Sequence, residues 1–329
     1  MKKIAIIGKQ QLLVMRQKIQ SFLQENGLQA DILDMDTRNA LDWTDHLKGY
    51  NGIISCGEKF PAEVFERLHG SLELISRYGV GTDEIDKVAA ANHGVAVCNA
   101  AGTLSTAVAE CAMGLILAVL RSIPVSDSEV RNNDWSRFFQ SKVGSQIEGK
   151  IVGIIGFGDI SRALCKMLSG FDCKILAYDI FWNEEKAKEL NVEYATIDRI
   201  RAESDIISIH VPSTPETNGM INKEFLAGCK KNAILINTAR GRLVVPEDLA
   251  EALNNGIIAG AGMDVFTPEP PNPNNPLLTA KNTVLLPHTG ACTIECHERA
   301  AMVAAKNVAD FFSGKTVKTI LNPDYLKNI

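Results

Sequence analysis

What this 329-residue sequence has little of narrows its reading first. No apolar run reaches the roughly 20 residues a membrane-spanning helix needs, and the best candidate, 111–120, fits a buried helix. Lys and Arg total 34 against 39 acidic residues, and they are scattered rather than run together. That excludes a basic surface tracking nucleic-acid phosphates and leaves a small molecule as the expected partner. The eight cysteines contain no C-x-x-C spacing, and Cys56, Cys98 and Cys111 sit inside apolar runs as small hydrophobes, which predicts a reducing cytoplasm. An export signal is not expected either: Lys2-Lys3 and Ile4 to Ile7 run straight into Gly8 and the polar Lys9-Gln10-Gln11, which reads as a first strand. Internal repeats and low-complexity segments are missing too. What remains is a globular chain, 46% hydrophobic, long enough for two cores.

Short apolar runs alternate with helical stretches, the rhythm of parallel sheets covered by helices. In the first part the runs 4–7, 30–35, 52–56, 72–77 and 95–98 read as strands, with helices over 12–25, 62–68 and 86–92. A long apolar helix follows at 105–120. The stretch 123–149 is more polar and irregular and carries Trp135, Phe138 and Phe139; it reads as an arm that buries itself on a second copy, or as a local loop over the body. A second βα series starts at 150–155 and continues through 175–178, 206–209, 233–237, 260–265 and 284–286. The last forty residues hold one long helix, about 292–313, with too few strands for a domain, so it is expected to cross back to the first unit. The expected fold is therefore α/β with two doubly wound parallel-sheet domains: a Rossmann domain at 102–291, and a flavodoxin-like domain made of 1–101 and 292–329.

The strand 151–155 runs into Gly156-Phe157-Gly158-Asp159-Ile160-Ser161 and then a helix. The first glycine permits a tight turn, the second lets pyrophosphate approach the backbone, and the helix N-terminus offers free N–H groups. Ser161 stands where a third glycine or alanine would ease helix packing. Asp159 places an acid near the phosphates and is expected to point outward. About twenty residues on, Asp179 ends the next strand, where a carboxylate can accept both adenosine ribose hydroxyls and repel a 2′-phosphate. Ile180-Phe181-Trp182 supply no Arg for such a phosphate, so NAD is the expected cofactor.

Hydride transfer at C2 of a hydroxy acid needs a group to hold the carboxylate, a base for the hydroxyl proton and a partner to tune that base. Arg240, Glu269 and His288 supply these types, each beyond a predicted strand of the second unit. A guanidinium binds a carboxylate through two parallel hydrogen bonds or polarises a carbonyl, and an imidazole titrates near neutrality. Singly, each has a plain structural explanation as a surface Arg, a satisfied His or a loop Glu. Together, at successive strand ends of a nucleotide fold, they point to one site.

The segments Gly156-Phe157-Gly158-Asp159-Ile160, His210-Val211-Pro212 with Thr214 and Thr217, Asn237-Thr238-Ala239-Arg240-Gly241, Asp264-Val265-Phe266 with Glu269-Pro270, and Pro287-His288-Thr289-Gly290 resemble the D-isomer-specific 2-hydroxyacid dehydrogenases over essentially the whole chain. The resemblance implies His288 as acid/base, Glu269 as the partner raising its pKa, and Arg240 on the substrate carboxylate and carbonyl. It implies that Thr238 and Asp264 contact the nicotinamide end, that His210, Pro212 and Thr217 line the cofactor cleft, and that Val211, Ala239, His288 and Gly290 also bind the cofactor. It also implies hinges near Ala101 and Ala291 and a homodimer joined through the cofactor domain and its arm.

For the substrate, Arg77-Tyr78-Gly79-Val80-Gly81-Thr82-Asp83 resembles the family's substrate loop. The N–H groups of Val80 and Gly81 can hold a carboxylate, and Arg77 either favours an anionic far end or pairs structurally with a local acid. Leu104 stands where many relatives have Asn, and leucine there resembles glyoxylate and hydroxypyruvate reductases; the chain ends soon after the core, so no regulatory extension is expected. The expected order is 3-phosphoglycerate first, hydroxypyruvate or glyoxylate second, and another anionic 2-oxo acid, such as a sulfonated one, third. Two readings from other classes stand beside these. One is an NADH-sensing interaction protein on the same fold; the other is a metal site at Cys292, Cys296 and His297, for which core packing is the better account, so no metal is expected.

Overall fold

A computed structural model of the chain describes all residues except 9, 36–39, 136–142 and 329, and only the backbone of 10–14 and 40. Two compact units result, one of Met1–Leu104 with Cys292–Ile329, the other of Ser105–Ala291.

The first unit holds five parallel strands, β1 (Lys3–Ile6), β2 (Gln29–Ile32), β3 (Gly52–Ser55), β4 (Leu74–Arg77) and β5 (Ala96–Cys98), in the order β2-β1-β3-β4-β5. This is the flavodoxin-like order, with its topological switch between β1 and β3. Ile4, Ala5, Ile6, Ile53, Ile54, Leu74 and Ile75 are fully buried. Both sheet faces are covered, which is why these strands are written as continuous apolar runs rather than alternating ones. The helix Ile294–Phe312 sets Ala300, Ala301, Ala304, Ala305 and Val308 into this core. Their spacing marks one helix face, and their small side chains let the backbone come near enough for Ser76 Oγ to donate to the Ala304 carbonyl at 2.9 Å.

The second unit holds seven parallel strands: β6 (Ile151–Ile155), β7 (Lys174–Tyr178), β8 (Val192–Tyr194), β9 (Ile206–Ile209), β10 (Ile234–Asn237), β11 (Gly260–Met263) and β12 (Thr283–Leu285). Their order is β12-β11-β10-β9-β6-β7-β8, a Rossmann arrangement with one added strand and a switch between β6 and β9. The helix Ser105–Leu120 buries Ala109, Ala112, Leu115 and Ile116 in the core of this unit.

Three local expectations are corrected. Strand β8 was not anticipated. The run expected over 30–35 ends as a strand at Ile32. Part of the stretch expected to be irregular is a helix, Ile123–Arg131, with no buried residue. Trp135 is 54% exposed, whereas Phe138 and Phe139 lie outside the described residues. Among the described residues no single helix is long and apolar enough to cross a membrane.

Candidate active site

The second unit's switch point is built on a glycine that nothing else can replace. Gly156 has φ +97°, and a Cβ there would stand 2.7 Å from the His210 carbonyl oxygen, so the turns after β6 and β9 abut. Gly158 precedes the helix Asp159–Leu168 in extended conformation, and the space where its Cβ would lie is open to 4 Å, room for a pyrophosphate at a helix N-terminus. Asp159 is exposed and stands 3.8 Å from Arg162, while Ile160 packs against the core. Ser161 is fully buried, and its Oγ donates to the Gly158 carbonyl at 2.9 Å, so the missing third glycine is replaced by a side chain that ties the turn to its helix.

Asp179, beyond β7, is drawn to this turn. Its Oδ2 accepts the Phe157 N–H at 2.6 Å and its Oδ1 the Phe181 N–H at 2.7 Å. Ile180 and Phe181, next to it, are exposed. His210 shares a 2.9 Å hydrogen bond between Nε2 and Ser208 Oγ, and burial pushes its imidazole down to about 4, which keeps it neutral at pH 7. Val211 packs against the unit's core. Thr217 Oγ1 donates to the Pro212 carbonyl at 2.7 Å and accepts the Thr214 N–H at 2.8 Å, folding 212–217 into a fixed loop. Thr238 is buried, and its Oγ1 has no hydrogen-bond partner among the described residues. An open glycine turn, a carboxylate at the end of the next strand and an orphaned buried hydroxyl fit a dinucleotide.

The catalytic candidates gather at the ends of β10, β11 and β12. Asn237, fully buried, accepts the Ala239 N–H at 2.9 Å and donates to the Arg240 carbonyl at 2.8 Å, closing the turn that carries Arg240. Arg240 Nη1 donates to the Ala239 carbonyl at 2.7 Å. At Gly241 a Cβ would sit 2.2 Å from the Phe266 carbonyl carbon, so the Arg240 turn lies directly on the loop carrying Glu269. Glu269 Oε1 accepts the Phe266 N–H at 2.9 Å, and its Oε2 meets His288 Nδ1 at 2.6 Å. His288 has φ +56°, a left-handed backbone fixed by its N–H donating to the Asp264 carbonyl at 2.8 Å. The Asp264 carboxylate, buried and pushed up by that burial, accepts the N–H groups of Thr289 and Gly290 at 2.8 and 2.9 Å. In this structure Asp264 thus holds the backbone behind His288.

The electrostatics follow from this geometry. The hydrogen bond that His288 donates to Glu269 raises the His288 pKa against the opposing effects of burial and of the Arg240 charge. Burial alone would push the Glu269 carboxyl up; its bonds to His288 and the Phe266 N–H outweigh that and hold it below the usual range. Nδ1 is engaged by Glu269, which leaves Nε2 as the other ring nitrogen.

In the first unit, the loop after β4 is held from within. Arg77 is 7% exposed; its Nε donates to the Gly81 carbonyl at 3.2 Å and its Nη1 to the Glu58 carbonyl at 3.4 Å. Asn99 Nδ2 donates to the Val80 carbonyl at 2.8 Å, while the N–H groups of Val80 and Gly81 meet no acceptor among the described residues. Tyr78 hydroxyl meets His297 Nδ1 at 2.5 Å, which accounts for that histidine. Asn237 and Gly241 were read from the sequence only as members of a motif, without a role of their own, and Glu58 was not singled out. An Asn at a strand end before Ala-Arg-Gly is a turn signal that could have found the first; the other two depend on long-range contacts.

Residues 113–290 match the model of the NAD-binding domain of D-isomer-specific 2-hydroxyacid dehydrogenases. The chain is 43% identical over 274 residues to a glyoxylate reductase of Thermofilum pendens, covering 82% of this chain and 80% of that one. It is 35% identical over 302 residues to a D-3-phosphoglycerate dehydrogenase of Archaeoglobus fulgidus, covering 92% of this chain but 56% of the relative. The crystal structure of an NAD-dependent formate dehydrogenase from Staphylococcus aureus in complex with NAD superposes with a TM-score of 0.84 at 28% identity, over 98% of this chain and 99% of the other. Fold and site define a dinucleotide-dependent oxidoreductase. The chain belongs to the D-isomer-specific 2-hydroxyacid dehydrogenase family, whose cofactor is NAD and whose substrates are small 2-hydroxy and 2-oxo acids.

Proposed function

We propose that this protein reduces glyoxylate or hydroxypyruvate at C2, with His288 as the proton donor. The observation that carries the chemistry is the 2.6 Å contact between Glu269 and His288, which holds the imidazole protonated to higher pH than a free histidine allows. NADH, when bound by the Gly156 to Ile160 turn, Asp179, the 210–217 loop and Thr238, supplies the hydride. Arg240 orients the substrate carboxylate and polarises the carbonyl. His288 gives its Nε2 proton to the oxygen at C2 and is left neutral against Glu269. Val80 and Gly81 offer N–H groups suited to a carboxylate.

An uncharged far end of the substrate is favoured over 3-phosphoglycerate because Arg77 is buried and already donates to two backbone carbonyls. Similarity to several glyoxylate reductases supports the same choice. The exposed apolar residues Ile123, Val125, Val130 and Trp135 support burial of this segment on a second copy, and eight cysteines outside any disulfide support a reducing compartment. Replacing His288 by Ala is expected to lower kcat about a hundredfold or more while NADH affinity, read by fluorescence titration, stays within about twofold. An unchanged kcat would remove His288 from the chemistry.

A further inference from the structure

The strands β6, β7 and β8 of the second unit are joined at their carboxyl ends by aromatic rings that no role described above uses. Phe157, between the two glycines of the turn after β6, is 1% exposed although it belongs to a loop. The Trp182 ring, four residues beyond the end of β7, stacks on it with ring centres 5.0 Å apart and planes at 27°. Trp182 is itself held by two further contacts: its Nε1 donates to Glu184 Oε2 at 2.9 Å, and its ring meets that of Tyr194, the last residue of β8, edge-on at 5.1 Å and 72°. The Arg162 guanidinium, from the first turn of the helix Asp159–Leu168, stands over the Phe157 ring at 5.3 Å. Aromatic pairs in these arrangements attract beyond the area they bury, and a cation over a ring face adds to this.

The stack bears on the Asp179 carboxylate, which takes one N–H from each of the two loops it joins: that of Phe157 in the turn after β6, and that of Phe181, next to Trp182, in the loop after β7. The packing of Trp182 on Phe157 therefore fixes how the glycine turn and the carboxylate lie relative to each other. Without the indole the turn keeps its backbone bonds, Gly156 N–H to the Tyr178 carbonyl at 2.8 Å and Phe157 N–H to Asp179, but loses the side-chain packing that backs it. The disturbance stays local, because the stack stands at the β6-β7-β8 side of the sheet and β9 separates it from β10, β11 and β12, whose ends carry Arg240, Glu269 and His288.

We propose that Trp182 is a positioning residue for the cofactor: by packing on Phe157 it holds the glycine turn and Asp179 in place for the adenosine diphosphate half of NAD, with Arg162 supporting the same ring. It sets how tightly the dinucleotide is held and not how fast hydride is transferred. Preorganisation of this kind raises affinity by removing the cost of ordering the loops on binding. The inference rests on the reading of the Gly156 to Ile160 turn and Asp179 as the cofactor site, and it is independent of which acid is reduced.

The test is Trp182→Ala, titrated calorimetrically with NADH and with ADP-ribose, which lacks the nicotinamide ring. Both Kd values are expected to rise together by about fivefold to tenfold, while kcat at saturating NADH stays within about twofold of the parent. Trp182→Phe, which keeps a ring able to stack, is expected to hold both Kd values within about twofold of the parent. Arg162→Met, which keeps the stem but not the charge, is expected to raise them about threefold. An unchanged Kd in Trp182→Ala, a loss seen with NADH but not with ADP-ribose, a kcat that falls in step with affinity, or a Trp182→Phe as weak as Trp182→Ala would each overturn the proposal. If the alanine variant does not fold, Trp182→Leu takes its place in the same titrations and the same outcomes decide. A parent that binds neither NADH nor ADP-ribose would overturn the cofactor-site reading and the proposal with it, a result distinct from a parent and a variant that bind both equally well.

Discussion

In the proposed reaction, a single hydrogen bond sets the pH at which the site works. Glu269 raises the His288 pKa, so the imidazolium needed for reduction persists to higher pH than a free histidine allows. The sign follows directly: weakening the partner lowers the folded pKa, and reductive activity then disappears at lower pH. Glu269→Gln is expected to shift the alkaline limb of the kcat/KM profile for reduction downward and to cost about tenfold to a hundredfold at pH 8. A steady-state profile between pH 5 and 9 checks this, and an alkaline limb that does not move would mean that Glu269 does not tune the proton donor. The left-handed backbone of His288 belongs to the same arrangement. The Asp264 carbonyl and carboxylate grip residues 288–290 and hold the imidazole toward Glu269.

Between elements, the site depends on loops pressed together without space for a methyl group. Gly241 lets the turn after β10 lie on Phe266 in the loop after β11, which carries Glu269. Gly241→Ala is expected to force these loops apart, to destabilise by about 1–3 kcal/mol as overpacking does, and to lower kcat at least tenfold with the NADH KM nearly unchanged. Chemical denaturation and steady-state kinetics on one preparation would show it, and wild-type kcat would contradict the tight apposition. Much at this scale was legible in advance. Doubly buried strands announce themselves as apolar runs, and the glycine turn, Asp179 and the three strand-end residues were readable as types at spacings. Strand β8 was not, because only Val192 of its three residues is buried and Glu193 and Tyr194 break the run. The helix Ile123–Arg131 was hidden for a related reason: a helix with no buried face writes no apolar stripe. Gly241 and Glu58 owe their meaning to contacts 25 and 19 residues distant in sequence, with Phe266 and Arg77, which a linear reading does not reveal.

For the whole molecule, two units are assembled from one chain that leaves the first, completes the second and returns through the helix Ile294–Phe312. The apolar side chains of Ile123, Val125, Val130 and Trp135 are left exposed by the described residues, and a second copy is the occupant proposed for them. Val130→Asp is expected to shift sedimentation toward the monomer by at least tenfold in dissociation constant, and a parent protein that sediments as a monomer would end that proposal. The central claim is narrower and more direct: NADH-dependent reduction at C2 of a small acid with an uncharged far end. The measurement that tests it is kcat/KM for NADH oxidation with glyoxylate, hydroxypyruvate, phosphohydroxypyruvate and sulfopyruvate side by side. Highest values with glyoxylate or hydroxypyruvate are predicted. A clear preference for the phosphorylated or sulfonated acid, or no turnover with any of the four, would contradict it.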